Sequence, residues 1–457
     1  MKTSWTGKRV TVMGLGLHTG GVETVKYFAA RGAKVLVTDL RPAEQLRESV
    51  AAVKGQNVSF RLGGHVKRDF TEADLVIANP AVHPSNPLLA AARRARVPVD
   101  AEMNFVFRAS RAPIVGITGS NGKSTTTALI AHLLEASGKR VRLGGNIGRA
   151  LLNVAETLTP REIAVLEVSS FQLEYLGRAG LSPHIAVVMN VQPNHLNYHK
   201  TMVSYTLAKR QIVEHQKPGD VAVLNADDWR VRRMAKFTRA RVLYFSVERP
   251  VKQGVWLEGD TARFRIGKRS GVIRGLDRMR LIGLHNRQNA CAAVAAALAA
   301  GASPRAIEKA IPTFRPLPHR LEVVARRRGV TFVNDSIATN PDSVRAALDC
   351  FDGNVILIAG GSRKDIPYTP MLRGIAAKVK LLLLVGQTAK EIRKAVGRFD
   401  KKHPPIILAG TLDRAMDIAR KSTVPGDTVL LSPACASFDQ FRNFEERGEK
   451  FADLARR

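Results

Sequence analysis

The sequence contains little cysteine, few aromatic residues, few acidic side chains and no long hydrophobic run. Only three of its 457 residues are cysteines, namely Cys291, Cys350 and Cys435. Their odd number and wide spacing exclude a disulfide framework, and the lack of a CxxC pair excludes a cysteine-based zinc ribbon. We therefore expect reduced thiols and a reducing compartment.

The longest apolar stretch covers residues 290–300 and consists mostly of alanine. It is far shorter than the roughly 18 residues that indicate a membrane span. The N-terminal segment MKTSWTGKRVTVMGLG enters a short apolar strand without the charged head and long apolar core of a signal peptide. The sequence therefore predicts a cytoplasmic protein without a membrane span.

The shortage of acidic residues leaves a large positive charge. There are 71 Lys+Arg residues against 39 Asp+Glu, which gives a formal net charge of +32. This charge favours anionic partners such as nucleic acid, acidic membrane surfaces or phosphorylated metabolites, and a host with a basic proteome explains it equally well. Because aromatic residues are only 6% of the chain and no nucleic-acid-binding module is recognisable, a nucleic-acid partner is not expected.

Short apolar strands alternate with helical stretches along the whole chain, which predicts an α/β protein with parallel sheets. Three domains are expected: a Rossmann-like domain at 1–110, a central P-loop ATPase-like domain at 111–320 and a Rossmann-like domain at 321–457. The proline-rich segment 312–319 has the stiffness of a linker before the last domain. Predicted strands include Arg9–Met13, Leu75–Ala78, 163–168, 185–190, Val221–Asn225 and 355–359.

A glycine-rich loop between a predicted strand and a predicted helix is the strongest local motif. It consists of Thr118, Gly119, Ser120, Asn121, Gly122, Lys123, Ser124 and Thr125. Backbone N–H groups and a helix N-terminus in this arrangement can bind phosphate oxygens, while the lysine neutralises the phosphates and the serine holds Mg²⁺. The strict P-loop has glycine at position 117, where this chain has Ile117, so the loop is a variant.

The first predicted strand also ends in glycines. Gly14 and Gly16 begin a dinucleotide-type fingerprint whose third glycine, Gly20, is displaced by one position. Asp39 ends the next strand, and Asp39 and Arg41 would suit a ribose hydroxyl and a phosphate. A nucleotide other than NAD is the favoured ligand, and a tight βα turn without a ligand remains the alternative.

Two further residues, Glu167 and His195, could bind Mg²⁺ or remain structural. Glu167 and His195 follow predicted central strands, where they would approach the glycine-rich loop if those strands are parallel neighbours. A histidine in such a loop is more often not a ligand. Lys209 lies on a helical stretch, and its spacing predicts only a solvated face.

Eight blocks of sequence, taken together, resemble the Mur ligase family. They are TGSNGKST at 118–125, GGNIG at 144–148, LEVSSFQLE at 166–174, LNADD at 224–228, GLHNRQN at 283–289, LPHRLE at 317–322, NDSIATN at 334–340 and LLSPACASFDQFRNFEERG at 430–448. The family consists of ATP-dependent amide-forming enzymes of peptidoglycan synthesis. Within it, SSFQLE and SPACASFDQFRNFEERG resemble the ligases that add D-glutamate to UDP-N-acetylmuramoyl-L-alanine.

This resemblance implies ATP, two Mg²⁺ ions and an acyl phosphate intermediate. Lys123, Glu167, His195 and Lys209 would be the catalytic residues. Ser124, Glu167, His195 and Lys209 would serve the metal ions, with Lys209 carbamylated. The remaining implied ATP contacts are Asn286, Arg320 and Asp335. The implied contacts with the UDP-substrate are Leu17, His18, Thr19, Asp39, Arg41 and Asn146, and those with D-glutamate are Thr339, Lys364, Ser437 and Phe444.

The sequence departs from the family pattern near the metals and near ATP. Asn194 and Asn197 flank His195 where the family usually has aspartates, so negative charge is lost. Ile337 replaces the lysine of the NDSKATN form. These differences are expected to tune the activity and not to abolish it.

Other functions remain open alternatives. Another Mur-type ligase with a different amino acid is the nearest, although the DNPR block of the diaminopimelate-adding ligase is absent. A basic P-loop protein that binds nucleic acid is the non-enzyme alternative. The protein is expected to be a monomer, and motifs alone do not fix the stereochemistry of the amino acid.

Overall fold

The computed structural model describes residues 4–16, 19–146, 151–281, 283–363 and 367–457. The predicted site residues Leu17, His18 and Lys364 lie outside the described residues, as does the side chain of Thr19. The chain divides into two compact units, of which the first comprises residues 1–278 with 287–312 and the second comprises residues 279–286 with 313–457. The first unit contains two β-sheets and the second contains one.

The first sheet has five parallel strands in the order β3-β2-β1-β4-β5, the order of a Rossmann-like fold. Its strands are β1 (Arg9–Met13), β2 (Lys34–Asp39), β3 (Val58–Leu62), β4 (Leu75–Ala78) and β5 (Val99–Asp100). Its helices are α1 (Thr19–Ala29), α2 (Arg47–Ala51), α3 (Arg68–Thr71), α4 (Pro87–Arg94) and α5 (Glu102–Ala109). Apolar side chains bury β1 and β4 almost completely, because a parallel sheet is covered on both faces.

The second sheet has nine strands in the order β14-β13-β12-β11-β10-β9-β6-β8-β7. The strands are β6 (Ile114–Thr118), β7 (Arg140–Gly145), β8 (Glu162–Glu167), β9 (Ile185–Val188), β10 (Val221–Asn225), β11 (Arg241–Ser246), β12 (Gly254–Glu258), β13 (Thr261–Ile266) and β14 (Arg269–Ile273). Its helices are α6 (Lys123–Ala136), α7 (Leu152–Ala155), α8 (Ser170–Arg178), α9 (Leu196–His199), α10 (Met202–Glu214), α11 (Trp229–Arg233), α12 (Leu284–Ala299) and α13 (Pro304–Ala310). In this spatial order, all strands from β12 across to β7, including β6, are parallel. At the other end of the sheet, β12, β13 and β14 form an antiparallel extension.

The third sheet has six strands in the order β15-β16-β20-β17-β18-β19, parallel except for β15. The strands are β15 (Glu322–Arg327), β16 (Val330–Asn334), β17 (Val355–Gly360), β18 (Val379–Val385), β19 (Ile406–Gly410) and β20 (Thr428–Leu431). The helices are α14 (Pro341–Leu348), α15 (Thr369–Lys378), α16 (Ala389–Phe399), α17 (Leu412–Ser422) and α18 (Phe444–Arg456).

Side chains from the first two sheets join them within one unit. The Tyr27 hydroxyl of α1 donates to Glu156 Oε1 at 2.6 Å, just after α7. Asn153 Nδ2 donates to Glu23 Oε2 at 2.5 Å. Tyr175 of α8 donates from its hydroxyl to the carbonyl of Val82 at 2.6 Å. Apolar residues of both sheets accordingly contribute to one common core cluster.

The predicted α/β class with three mostly parallel sheets is confirmed, and the predicted strands at β1, β4 and β10 have the observed bounds. The division into three domains at 1–110, 111–320 and 321–457 remains a prediction. The sequence analysis did not identify β13 and β14, because neither has a continuous buried run: buried and exposed residues alternate in β13, and only Ile273 is buried in β14. No helix in the described ranges combines the length and the apolar character needed to cross a bilayer.

The close approach of α1 to β1 depends on Gly21 and not on Gly20. A Cβ at Gly21 would lie 2.0 Å from the carbonyl oxygen of Leu15, whereas a Cβ at Gly20 would meet only Glu102 Oε2 at 3.0 Å. The expectation that Gly20 is the third fingerprint glycine is therefore wrong by one residue. Glycine is required at position 21 because the helix packs directly on the backbone that leaves the strand.

Replacing Gly21 by alanine is expected to lower the free energy of unfolding of the first unit by roughly 1–3 kcal/mol, because backbone must move to admit the methyl group. Gly219→Ala is the matched control, since a Cβ there meets nothing within 4 Å and its φ is not positive. Urea unfolding of both variants measures the difference. Equal midpoints for the two variants would contradict the packing argument.

Candidate functional site

At two positions of the glycine-rich loop after β6, only a glycine fits without a steric clash. A Cβ at Gly119 would lie 2.7 Å from Met189 Cβ. Gly122 has a φ of 81°, and its Cβ would lie 2.4 Å from Asn289 Oδ1 on α12. The backbone can therefore turn tightly between the strand and α6, as in loops that surround phosphate oxygens.

Hydrogen bonds fix this loop to the segment that follows β9. Ser120 Oγ donates to the carbonyl of Gln192 at 2.8 Å and accepts from the Gln192 N–H at 2.9 Å. The Asn121 N–H donates to Asn190 Oδ1 at 2.8 Å. Since β9 is the direct neighbour of β6, these bonds connect the ends of two adjacent strands. The loop conformation is thus held by protein contacts alone.

Lys123 begins α6 and turns back over the loop. Its Nζ donates to the carbonyl oxygens of Gly119 and Ser120, each at 3.0 Å. Ser124 follows in the first turn and is partly buried, while Thr125 and Thr118 are buried. All eight predicted loop residues therefore lie in one strand-loop-helix turn, with a cation at a helix N-terminus where anions bind.

Glu167 ends β8, which pairs with β6 on the opposite side from β9. The residue is 2% exposed. Asn146 Nδ2 donates to Glu167 Oε1 at 3.0 Å, and among the described residues Oε2 has no hydrogen-bond partner. A buried carboxylate oxygen without a partner is unfavourable unless a cation or a donor joins it. This oxygen therefore fits a cation-binding role.

Lys209 of α10 is 1% exposed, so the solvated position predicted from its spacing is wrong. Its Nζ donates to the Gly119 carbonyl at 2.8 Å and lies 4.7 Å from the centroid of the Tyr205 ring. Burial, followed by repulsion from Lys123, lowers the pKa of Lys209 well below its ordinary value. The side chain thus reaches the underside of the loop with a weakened preference for the charged form.

His195 precedes α9 in a left-handed conformation, with a φ of 53°. Desolvation, then repulsion from Lys123 and Lys209, lowers the pKa of its imidazole to about 4. The ring is therefore neutral at pH 7, which is the form that binds metal. Asn194 Oδ1 accepts the His195 N–H at 2.9 Å, and the side chain of Asn197 lies outside the described residues.

At the end of β2, Asp39 contacts its own polypeptide turn. Its carboxylate accepts the N–H groups of Gly16 at 3.2 Å and Arg41 at 2.9 Å, and it is 5% exposed. A tight βα turn therefore accounts for Asp39 without a ligand. The Arg41 guanidinium lies 3.8 Å from the carboxylate and is about half exposed. The structure places Asn146 beside Glu167 in the second sheet.

In the second unit, Asp335 and Arg320 are neighbours. Asp335 accepts from Ser432 Oγ at 2.8 Å and from the Leu321 N–H at 3.3 Å. Burial raises the pKa of Asp335 to about 7, while Ser432 and Arg320 oppose this rise. Arg320 Nε is buried and has no hydrogen-bond partner within the described chain. Asn286, also buried, belongs to the same unit.

Arg447 of α18 connects the loops that carry the predicted D-glutamate residues. Its guanidinium donates to Ser336 Oγ at 3.0 Å, to the Ser336 carbonyl at 2.9 Å and to the Cys435 carbonyl at 3.1 Å. Ser336 Oγ in turn donates to the Phe444 carbonyl at 2.8 Å. Ser437 is buried two residues after Cys435.

The short NDSIATN loop also contains Thr339 and the substituted Ile337. The Thr339 N–H donates to the Ile337 carbonyl at 2.8 Å, and the Ile337 N–H donates to the His319 carbonyl at 3.2 Å. Ile337 therefore contributes backbone bonds to the loop, although its side chain carries no cation.

Asn289, Tyr205 and Arg447 were missed by the sequence analysis. Asn289 limits the space at Gly122, and the Tyr205 hydroxyl lies 3.1 Å from Ser120 Oγ beside Lys209. Asn289 and Arg447 fall inside the blocks GLHNRQN and SPACASFDQFRNFEERG, so their position in those blocks was the available signal. Tyr205 had none.

In the described part of the chain, no three His, Cys, Asp or Glu side chains lie close enough together to bind a metal ion by themselves. Mg²⁺ commonly takes one or two carboxylates together with phosphate oxygens and water. Glu167, with one free buried oxygen beside the phosphate-type loop, fits that kind of site.

Models of known protein families match three consecutive segments of the chain. The family models "Mur ligase MurD-like, N-terminal domain", "Mur ligase middle domain" and "Mur ligase, glutamate ligase domain" match residues 8–100, 117–297 and 319–435. A UDP-N-acetylmuramoylalanine--D-glutamate ligase of Symbiobacterium thermophilum is 42% identical over 98% of this chain and 97% of its own. This chain belongs to the Mur ligase family.

A second relative with that name, from Roseiflexus sp., is 42% identical over 97% of both chains. The Mur ligase fold is also shared with solved structures. The UDP-N-acetylmuramate-alanine ligase of Thermotoga maritima has a TM-score of 0.62 at 18% identity, covering 98% of this chain and 99% of its own. At that identity the likeness shows the fold alone.

Replacing Arg447 by lysine is expected to lower the free energy of unfolding of the second unit by about 2 kcal/mol or more, because buried carbonyls lose donors. Arg456→Lys is the matched control, since Arg456 lies on the same helix and pairs with Asp453 at the surface. Urea unfolding of both variants provides the measurement. Equal losses would show that the buried network does not contribute as argued.

Proposed function

We propose that this protein is the ATP-dependent ligase that joins D-glutamate to UDP-N-acetylmuramoyl-L-alanine in peptidoglycan synthesis. The observation that carries the proposal is full-length identity of 36–42% to relatives with the corresponding name. The solved structures of Mur ligases with other names are only 15–21% identical. A Mur-type ligase for another amino acid and a nucleic-acid-binding P-loop protein are therefore less well supported.

The reaction has two steps. The substrate carboxylate attacks the γ-phosphorus of ATP, forming an acyl phosphate and releasing ADP. The amino group of D-glutamate then attacks the acyl carbon, loses a proton and displaces inorganic phosphate, so that an amide bond results. Both steps require alignment and charge neutralisation more than covalent help from the protein.

The loop residues Thr118 to Thr125 would surround the ATP phosphates. Lys123, now bonded to the carbonyls of its own loop, would exchange those neutral acceptors for phosphate oxygens, which are stronger partners for an ammonium. In the second unit, Asn286, Arg320 and Asp335 would contact ATP. The Arg320 Nε, which has no hydrogen-bond partner among the residues that the structure describes, is suited to an anionic or carbonyl acceptor.

Ser124, Glu167 and His195 would hold Mg²⁺, with Lys209 as a fourth, modified ligand and with two ions in the complete site. When bound, Mg²⁺ neutralises charge on the transferring phosphoryl group. The free Oε2 of Glu167 and the neutral imidazole of His195 supply ligand atoms of the required kind. Asn194 and Asn197, in place of aspartates, would make the site less negative.

Carbamylation of Lys209 would complete this site. The neutral amine attacks CO₂, a nitrogen–carbon bond forms and one proton is released, so that a potential cation becomes an anion. Burial and the nearby Lys123 favour the neutral amine that this addition needs. The product would also replace repulsion between Lys209 and Lys123 by attraction.

Substrate binding would divide along the chain, with the UDP-substrate at 1–110, ATP at 111–320 and the amino acid at 321–457. Leu17, His18, Thr19, Asp39, Arg41 and Asn146 would contact the UDP-substrate. Thr339, Lys364, Ser437 and Phe444 would contact D-glutamate, on loops supported by Arg447. A cytoplasmic monomer remains the expectation.

The direct test incubates the purified protein with ATP, Mg²⁺ and UDP-N-acetylmuramoyl-L-alanine across a panel of D- and L-amino acids. Phosphate release together with a product heavier by one glutamate residue, with D-glutamate alone, is the expected result. Glu167→Gln should lower kcat by about a hundredfold or more. Glu162→Gln, at the opposite end of the same strand and bonded to Arg142, should leave it unchanged. A product with another amino acid only would overturn the assignment.

The modification of Lys209 has a separate expected outcome. Removal of CO₂ from the buffer should lower the ligation rate, and bicarbonate should restore it. With ¹³C-labelled bicarbonate, the protein should show a carbamate carbon signal that Lys209→Arg abolishes. Lys217→Arg, at an exposed lysine that follows the same helix, should retain the signal. A signal that persists in Lys209→Arg would assign the carbamate elsewhere.

A further inference from the structure

One surface helix of the second unit presents a continuous row of cations. Six side chains form what we call the basic face: Lys390, Arg393, Lys394, Arg398, Lys401 and Lys402. All six are exposed, and the first four lie on α16. The opposite side of that helix buries Ala389, Ile392 and Val396 in the core of the third sheet. The basic face therefore points away from the protein interior.

One acidic residue, Asp400, lies between Arg398 and Lys401, and its carboxylate accepts the Lys402 backbone N–H at 2.8 Å. Within the described chain, none of the six side chains of the basic face takes part in an ion pair, and Glu391, the only acidic residue of α16, pairs with Arg363. Lys390, Lys394 and Arg398 follow one another at intervals of four residues. Like charges at this spacing repel each other and weaken a helix. The arrangement thus opposes local stability.

The basic composition of the chain does not by itself explain this face. Other helices form ion pairs between an acid and a cation three or four residues apart, as in Arg210–Glu214 and Arg420–Asp417. In α16 the acid Glu391 stands three residues before Lys394 but pairs with Arg363 instead. The unpaired row is therefore a local feature of the helix.

The end of α16 extends the face. The following turn folds back, so that a Cβ at Gly397 would lie 3.8 Å from His403 Nε2, and this turn carries Lys401 and Lys402. Phe399, 49% exposed, ends the helix beside them. Four lysines, two arginines and one aromatic residue are thus exposed on α16 and the turn that follows it.

We propose that the basic face of α16 binds the surface of an anionic lipid bilayer. A cluster of four to eight Lys and Arg residues on an amphipathic helix is the composition that associates with acidic headgroups. An exposed phenylalanine at its end is suited to the headgroup boundary. Single-stranded nucleic acid is favoured less, because its binding sites combine a charged groove with several aromatic side chains on which bases stack. None of the predicted site residues lies on α16.

The test uses the full-length protein and sedimentation with two kinds of vesicle, one of phosphatidylcholine alone and one of phosphatidylcholine mixed with phosphatidylglycerol. Binding is expected only to the anionic vesicles and should weaken at high salt. The variant Lys394→Gln, Arg398→Gln, Lys402→Gln should bind roughly a hundredfold more weakly, since each such charge near an anionic surface strengthens binding about fivefold. Its melting temperature should be equal to or above that of the wild type, since repulsion within α16 is relieved, and its ligation rate should be unchanged.

The matched control removes the same charge from scattered positions, with Lys54→Gln, Arg239→Gln and Arg305→Gln, all at exposed residues. This variant should retain vesicle binding. Equal losses in both triple variants would mean that net charge drives the association, which would overturn the proposal. Absence of vesicle binding, or binding to polyuridylate that depends on the same three α16 residues, would also overturn it.

Discussion

The central site depends on the burial of one amine. Lys209 is 1% exposed, and its close polar partner is the carbonyl of Gly119, at 2.8 Å. That carbonyl faces the amine because the loop turns at glycines, and Tyr205 encloses the amine from the other side while contacting Ser120. A charged ammonium in this position is unfavourable, since an isolated buried cation loses its hydration. The loop, α10 and the chemistry of the lysine are therefore linked by one constraint.

A second determinant is the order of the parallel strands. β6 lies between β8 and β9, so the loop, Glu167 and Asn190 emerge at the same edge of the sheet. Ligands of open α/β sheets bind at this edge because the carboxyl ends of the strands meet there. The Glu167 Oε2, which has no partner among the described residues, lies at the edge from which the phosphate-type loop also emerges, and the proposed magnesium role of this carboxylate rests on that placement.

In the second unit the predicted ligand residues lie on separate loops, which a buried side chain connects. Arg447 reaches the carbonyls of Ser336 and Cys435 from α18, and burial lowers the pKa of its guanidinium to about 10. Its planar group with five donors can satisfy several carbonyls at once, which a lysine cannot do. Gly448 permits the accompanying approach of His319, whose Nδ1 would lie 2.2 Å from a Cβ there.

The sequence alone determined the α/β class, the bounds of strands such as β1, β4 and β10, and the phosphate-type loop, because continuous apolar runs and glycine spacing are local signals. The resemblance to the Mur family also singled out Lys209, by its match to a family lysine, which its helical spacing did not. Only the tertiary structure decided that Gly21 and not Gly20 is sterically required, that Lys209 is buried, and that Asn289, Tyr205 and Arg447 support the sites. Each of these depends on which atoms the folded backbone brings against the residue, and no periodicity or local propensity contains that information.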